Sequence, residues 1–190
     1  YNIAVYPLEH FIQWGTPEDV FEYNTWSKTF KNLINYNNKK FPSNGYVVIP
    51  MAGMGQRFIN ENYKKPKPLI HVSGKSMVVQ AANDLPTAHD YIFVLREDMI
   101  GYKDILKELK HDFPKSKIVN IDGITDGQAT SAYEGMINIE KYEFRKPGIV
   151  TIGACDNGAI YNTLRLNKLI NNPNVDIIIW GVRGYPNAIR

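Results

Sequence analysis

The feature that most restricts this chain is a series of short apolar runs, each followed by a turn and then by a stretch of helical periodicity. The runs are Tyr46–Pro50, Tyr91–Leu95, Lys117–Ile121, Ile149–Ala154 and Val175–Trp180. Each is nearly continuous in apolar residues, the pattern of parallel strands covered on both faces. Helix candidates lie between them at Ser76–Leu85, Lys103–Phe113, Gln128–Ile137 and Asn162–Ile170. This alternation predicts an α/β fold: a doubly wound, mostly parallel sheet with helices on both faces. No internal repeat is evident. In such sheets ligands sit beyond the carboxyl ends of the strands, so the loops that follow each strand are the places to look for chemistry.

Residues 1–45 read differently. They are rich in aromatics and Asn, and Thr16-Pro17-Glu18-Asp19 supplies a capping hydroxyl, a proline at the first helical position and acidic groups in the first turn. Val20, Tyr23, Trp26 and Phe30 follow at near-helical spacing, predicting a helix over 17–36. Asn35–Gly45 then reads as a linker. The expected organisation is therefore a helical segment and linker over 1–45, followed by the α/β unit over 46–190.

Charge and cysteine content narrow the function classes. The 22 Lys+Arg against 19 Asp+Glu leave a net charge of +3, too weak a bias to propose a nucleic-acid partner. A single Cys rules out a disulfide framework or a Cys-based zinc site and fits a reducing compartment. The 4 His are scattered without ligand spacing. No run approaches the ~18 apolar residues of a membrane helix. A cytoplasmic location is the expectation.

Among the loops after strands, residues 47–58 (VVIPMAGMGQRF) are the most informative. Ala52, Gly53 and Gly55 make a turn without bulk, where backbone N–H groups can approach an anion, and Arg57 adds a fork of donors for phosphate oxygens. No Gly-Lys-Ser/Thr closes the loop as in a Walker A sequence, and Phe58 stands where the dinucleotide fingerprint has its third glycine. A tight strand-to-helix turn with no ligand is an equal reading of the spacing alone. Further on, prolines flank Lys67 in Lys65-Pro66-Lys67-Pro68-Leu69. They are expected to hold the backbone extended and to present the lysine rigidly as a point charge. A solvated basic loop is the commoner explanation for such a segment by itself.

Taken together, these segments resemble the sugar-1-phosphate nucleotidyltransferases, or nucleotide-sugar pyrophosphorylases. The family signature is a small-Ala-Gly-x-Gly-x-Arg loop followed by Pro-Lys-Pro-Leu, here Met51–Arg57 and Pro66–Leu69. Asp126-Gly127-Gln128-Ala129 is similar to the family segment that opens the helix over the nucleotide base. Ile152-Gly153-Ala154-Cys155-Asp156-Asn157 is similar to the strand end carrying the metal aspartate. The resemblance implies a Rossmann-like, GT-A-like nucleotidyltransferase fold and transfer of a nucleotidyl group from a nucleoside triphosphate to a sugar phosphate, with release of pyrophosphate. It implies that Ala52, Gly53 and Gly55 cradle the nucleotide, that Arg57 and Lys67 bind phosphate, and that Gly127 and Gln128 lie against the base. Asp156 would ligate Mg²⁺. Surface or capsule polysaccharide biosynthesis is the setting the resemblance suggests.

Each landmark also has an ordinary reading. Asp156-Asn157-Gly158 is a common turn sequence, and Gln128 is an unexceptional first-turn residue. The resemblance covers 46–190, shorter than the family's catalytic domain, so the C-terminal part of that domain is expected to be missing. Trp14-Gly15-Thr16-Pro17-Glu18-Asp19 looks like the closing segment of such a domain, which suggests a tail joined to the head of a following unit. An attached upstream domain or a homo-oligomer is left open. The competing expectation is a non-catalytic nucleotide- or sugar-nucleotide-binding module that regulates an attached enzyme. A glycosyltransferase ranks lower, because Asp156-Asn157-Gly158 lacks a second Asp.

Overall fold

The computed structural model describes residues 3–8, 10–21, 23–24, 27, 45–141 and 148–181. At its centre is β3 (Tyr46–Pro50), all of whose residues are buried. It pairs in parallel with β6 (Asp90–Leu95) on one side and β8 (Val150–Ile152) on the other. β7 (Lys117–Asn120) pairs in parallel with β6, giving the spatial order β7-β6-β3-β8. The chain builds outward from β3 to β7 and then crosses back to place β8 on the other side of β3. The order therefore reverses between β3 and β8, and a doubly wound sheet opens its ligand crevice at such a point.

Both faces of this sheet are covered, as the apolar runs require. Val47 and Ile49 pack with Val78 and Val79 of α3 (Met77–Asp84) and with Ile105 and Leu109 of α4 (Tyr102–Asp112). The alternate residues Tyr46 and Val48 join Ile92, Val94 and Val119 on the other face. There α5 (Gln128–Lys141) lies against β3, β6 and β7. Its Gly135 comes so close that a Cβ would stand 2.7 Å from Val94 Cγ2 and 2.9 Å from Val48 Cγ1.

Between β3 and α3 the chain forms the short helix α2 (Gln56–Asn60), a 3-10 turn at Lys67–Leu69 and a hairpin of β4 (His71–Val72) with β5 (Lys75–Ser76). These occupy the stretch between β3 and α3.

Two expectations need correction. Val175–Trp180 was expected to extend the buried sheet, but β10 (Ile177–Gly181) pairs in parallel with β1 (Ile3–Pro7) in a separate two-stranded sheet. Among the described residues, only one face of that pair is covered. Tyr6, Leu8 and Tyr161 pack against Leu166 of α6 (Thr163–Ile170), with Ile178 and Trp180 beside them, while Ile177 and Ile179 are exposed. An unbroken apolar run does not by itself distinguish burial on one face from burial on two.

The second correction concerns residues 1–45, read as a helical segment and linker. They begin with two strands, β1 and β2 (His10–Gln13), the latter antiparallel to β9 (Asn157–Ile160). The helix expected after Pro17 is present as α1, helical at 17–21, 23–24 and 27. It opens on a reciprocal cap: Asp19 N–H donates to Thr16 Oγ1 at 3.2 Å, and Thr16 N–H donates to the Asp19 carboxylate at 3.1 Å. The later part of the expected helix, nearly all of the Asn35–Gly45 linker and residues 182–190 lie outside the described residues.

Candidate functional site

The loop after β3 is the first wall of the site. Met51 extends the strand pairing by donating its N–H to Val94 O at 2.9 Å, and the chain then turns away through Ala52 and Gly53. A Cβ on Gly53 would meet nothing within 4 Å, so backbone faces open space there. Gly55 precedes α2 with φ 64°, a left-handed conformation that glycine adopts without strain. A Cβ at that position would lie 3.1 Å from Lys67 Cβ. Glycine thus serves twice, for the turn and for the close passage of the Pro-Lys-Pro segment. Arg57, in the first turn of α2, is exposed at the mouth of the cleft.

Lys67 was expected in an extended segment. Pro66 is extended (φ −62°, ψ 147°), but Lys67 itself opens the 3-10 turn, with Leu69 N–H bonded to Pro66 O at 2.9 Å. Pro68 is buried and anchors the turn. The lysine side chain is 21% exposed, passes 6.0 Å from the centre of the Phe58 ring and ends in an ion pair with Asp156 Oδ2. Burial pulls its pKa down, but the neighbouring Cys155, followed by the negative charge and hydrogen bond of Asp156, raises it overall above its ordinary 10.5. The ammonium is therefore charged at neutral pH. Cys155 is pushed up to about 12 by burial and by Asp156, so it is a neutral thiol there and no nucleophile.

Asp156 lies in the turn between β8 and β9, opposite the β3 loop across the point where the strand order reverses. Its position is fixed from an unexpected quarter: Trp14 N–H donates to Asp156 O at 2.9 Å, one step beyond the pairing of Gln13 with Asn157. Trp14 is fully buried among Val20, Tyr23, Phe58, Ile70, Val72, Met77 and Ala81. That same cluster holds Phe58 behind Lys67.

The third wall is the start of α5. Thr125 Oγ1 bonds to Gly127 O at 3.0 Å and lies 2.7 Å from Ser131 Oγ, while Ser131 N–H donates to Gly127 O at 3.2 Å. These bonds fix the Gly127–Gln128 turn.

Two neighbouring pockets result. One, of about 430 Å³, is lined by Arg57, Lys67, Asp156 and Gln128 together with Gln13 and Gly15. The other, of about 220 Å³, is lined by Ala52, Gly53, Gly127, Ser131 and Cys155. Gly55, Lys67 and Gln128 belong to both. Ala52, Gly53, Gly55, Arg57, Lys67, Gly127, Gln128 and Asp156, all singled out from the sequence, thus line two pockets that share Gly55, Lys67 and Gln128.

Comparison with known proteins adds a partial likeness in fold. No protein-family model matches the chain, and no curated protein does. Among solved structures, the chain is similar to the nucleoside-diphosphate-sugar pyrophosphorylase from Vibrio cholerae RC9, at TM-score 0.46 and 24% identity over 57% of this chain and 46% of that one. It is also similar to a 4-diphosphocytidyl-2C-methyl-D-erythritol synthase, at TM-score 0.46 and 12% identity over 68% of this chain and 54% of the other. The matched region spans about half the length of each of these proteins. The strand order and register described above establish the fold here.

Gln13 and Gly15 were not singled out from the sequence. A Cβ on Gly15 would lie 3.2 Å from Gln13 Nε2 and 3.9 Å from an Arg57 guanidinium nitrogen, so this turn abuts the arginine. Nothing local in the sequence indicates that a strand far from β9 in the chain closes the cleft beside it. Among the described residues no group of three or more His, Cys, Asp or Glu is placed to hold a metal. Among the described residues Asp156 is the one carboxylate lining the 430 Å³ pocket, and Lys67 engages one of its oxygens.

Proposed function

We propose that the cleft binds a nucleoside triphosphate and that the chain is the nucleotide-binding part of a nucleotidyltransferase joining it to a sugar phosphate, or a related phosphate ester, with release of pyrophosphate. The observation that carries this reading is the meeting of Arg57, Lys67 and Asp156 with an open glycine turn at the reversal of strand order. The 220 Å³ pocket, with backbone at Gly53 and Gly127 and the amide of Gln128, suits a planar base. The adjoining pocket suits the phosphates and the second substrate.

Both substrates are anions, so the chain's task is to neutralise charge and align the two. Arg57 would clamp phosphate oxygens through its planar fork. Lys67 would release Asp156 and turn to the phosphoryl group on which charge grows, where a positioned cation stabilises the transition state. The attacking phosphate oxygen is already ionised, so no general base is required. One carboxylate fits Mg²⁺ that takes its remaining ligands from substrate phosphates and water, and does not fit a preformed protein cage. Asp156 would hold the ion, whose chemistry would be to polarise the phosphoryl oxygens.

That the described residues bring one carboxylate to the pocket also favours a second reading, a module that binds nucleotide and regulates an attached enzyme without turnover. A role in surface polysaccharide synthesis and a cytoplasmic location belong to the first reading.

A thermal-shift panel of nucleoside triphosphates, with and without Mg²⁺, tests both readings. At about 100 times its dissociation constant a ligand should add roughly 2.7 kcal/mol to stability. We expect one triphosphate to stabilise the chain, Mg²⁺ to enhance the effect, and Arg57→Ala and Asp156→Asn each to remove most of it. No shift with any nucleotide contradicts both readings. Binding without pyrophosphate release in the intact protein supports the second.

A further inference from the structure

Another cleft, of about 390 Å³, shares Gly53, Gly55, Lys67 and Pro68 with the 220 Å³ pocket but contains none of Arg57, Gly127, Gln128 or Asp156. Its walls are the 63–68 segment and the loop after β6, residues 96–100. The two walls touch at Gly101, where a Cβ would lie 2.8 Å from Pro66 Cγ. The β6 loop is itself fixed by a tight turn: Arg96 N–H donates to Met99 Sδ at 3.4 Å, and Met99 N–H donates to Arg96 O at 3.3 Å.

Two features of this cleft have no use in the nucleotide site. The first is Arg96. Its side chain is only 7% exposed, and its Nε donates to Asp98 Oδ1 at 2.9 Å, yet its Nη1 is buried without a hydrogen-bond partner among the described residues. Buried polar groups normally find partners, and a guanidinium carries five donors in a fork suited to an oxyanion. Lys64 and Lys65, both exposed, stand in the same walls, so the cationic groups outnumber Asp98. The second feature is apolar. Met54, Tyr63 and Ile100 are 56%, 37% and 69% exposed, and all three line this cleft. Scattered surface hydrophobics need no explanation, but a cluster around a concave site marks a binding surface.

We propose that this cleft is a binding site for a small amphipathic anion, with its carboxylate, sulfonate or phosphate head on Arg96, Lys64 and Lys65 and its apolar body against Met54, Tyr63 and Ile100. The charge selects an anion over a cation, and the exposed apolar wall selects an organic anion over an inorganic one. The cleft shares the Gly53–Gly55 turn and Lys67 with the nucleotide pockets, so its occupant would lie against the turn that cradles the nucleotide.

Fluorescence titration with 8-anilinonaphthalene-1-sulfonate, compared with the uncharged N-phenyl-1-naphthylamine, tests the proposal on the full chain. The sulfonate should bind at one saturable site, at least ~10-fold more tightly than the neutral probe. That preference should fall at least ~10-fold in Arg96→Gln or in the Lys64→Gln/Lys65→Gln variant. The lysines are exposed, so the double variant decides the matter if the arginine variant fails to fold. Arg57→Ala should leave sulfonate binding unchanged, because Arg57 does not line this cleft, which separates this site from the nucleotide cleft whether or not that cleft binds nucleotide. Equal binding of the two probes, or an undiminished preference in both the arginine and the double-lysine variants, would overturn the proposal.

Discussion

Lys67 and Asp156 come from distant parts of the chain, yet each is placed by its own neighbours before the two meet. Buried Pro68 and the 3-10 turn aim the lysine, and the Trp14 hydrogen bond and the β9 pairing hold the aspartate. Their environment makes a prediction on the alkaline side. Lys67 is raised above 10.5, and Cys155 is raised from 9.0 to about 12. Each therefore holds its proton more tightly folded than unfolded. The stability each contributes is fully present below its unfolded value and is lost as pH rises through the folded one. Tyr23, Tyr91 and Tyr161, all raised above 10.0 by burial, add to the loss only at higher pH. The interval from about pH 9 to 10 thus belongs to Cys155 among these groups. Denaturant unfolding should show stability beginning to fall from about pH 9 in the native chain and from about pH 10 in Cys155→Ala. The same alkaline slope in both proteins over that interval would contradict the assignment.

At the scale of elements, α5 links the core to the site, because one end carries Gln128 and its middle rests on the sheet through Gly135. Two effects oppose each other in Gly135→Ala. Alanine favours a helix interior by about 1 kcal/mol. Against this, its Cβ would stand under 3 Å from Val48 and Val94 side chains that are themselves fully packed, and such overpacking costs about 1–3 kcal/mol. The steric term should win. We expect a net loss of about 1 kcal/mol in chemical denaturation, together with weaker nucleotide binding as α5 lifts and carries Gln128 with it. Greater stability than the native chain would show that the helix relaxes freely.

The same element shows what the sequence could reveal. The helix starting at Gln128 was legible from its periodicity, while Gln128 as a site residue came only from the resemblance of Asp126-Gly127-Gln128-Ala129 to the family segment. β3 and the buried part of β6 were legible because burial on both faces leaves a continuous apolar run, whereas β7 carries exposed Lys117 and Asn120 around a short apolar centre. Gly135 was not, since a glycine inside a helical pattern does not say what lies beneath it. β10 was misjudged because Ile177 and Ile179 expose apolar surface that a one-sided strand normally replaces with polar groups. β2 and Trp14 were invisible for a different reason: their partners are near the other end of the chain, and no local periodicity encodes a pairing of Gln13 with Asn157.

Over the whole molecule, those long-range pairings decide whether the chain behaves as one body. β1 closes the edge of β10, β2 closes the edge of β9, and Trp14 fills the space between α1, Phe58 and α3. The N-terminal segment is therefore a wall of the cleft and a structural support for Asp156. The loss of a buried aromatic like Trp14 alone costs about 3–5 kcal/mol. That is a large share of the roughly 5–15 kcal/mol by which a domain is stable. Removing residues 1–15 would add two unpaired strand edges, one bearing exposed Ile177 and Ile179, and such edges recruit other chains. Two behaviours can follow. If the four-stranded sheet were self-sufficient, the shortened chain would keep its melting transition and lose only the closure of the cleft. If the segment belongs to the same cooperative unit, the shortened chain should aggregate or unfold without a sharp transition. The burial of Trp14 against Phe58 and α3, elements attached directly to the sheet, favours the second. Light scattering and thermal unfolding of the shortened chain decide it: a soluble monomer with an unchanged transition would mean that the sheet stands alone and that the N-terminal segment is a detachable wall.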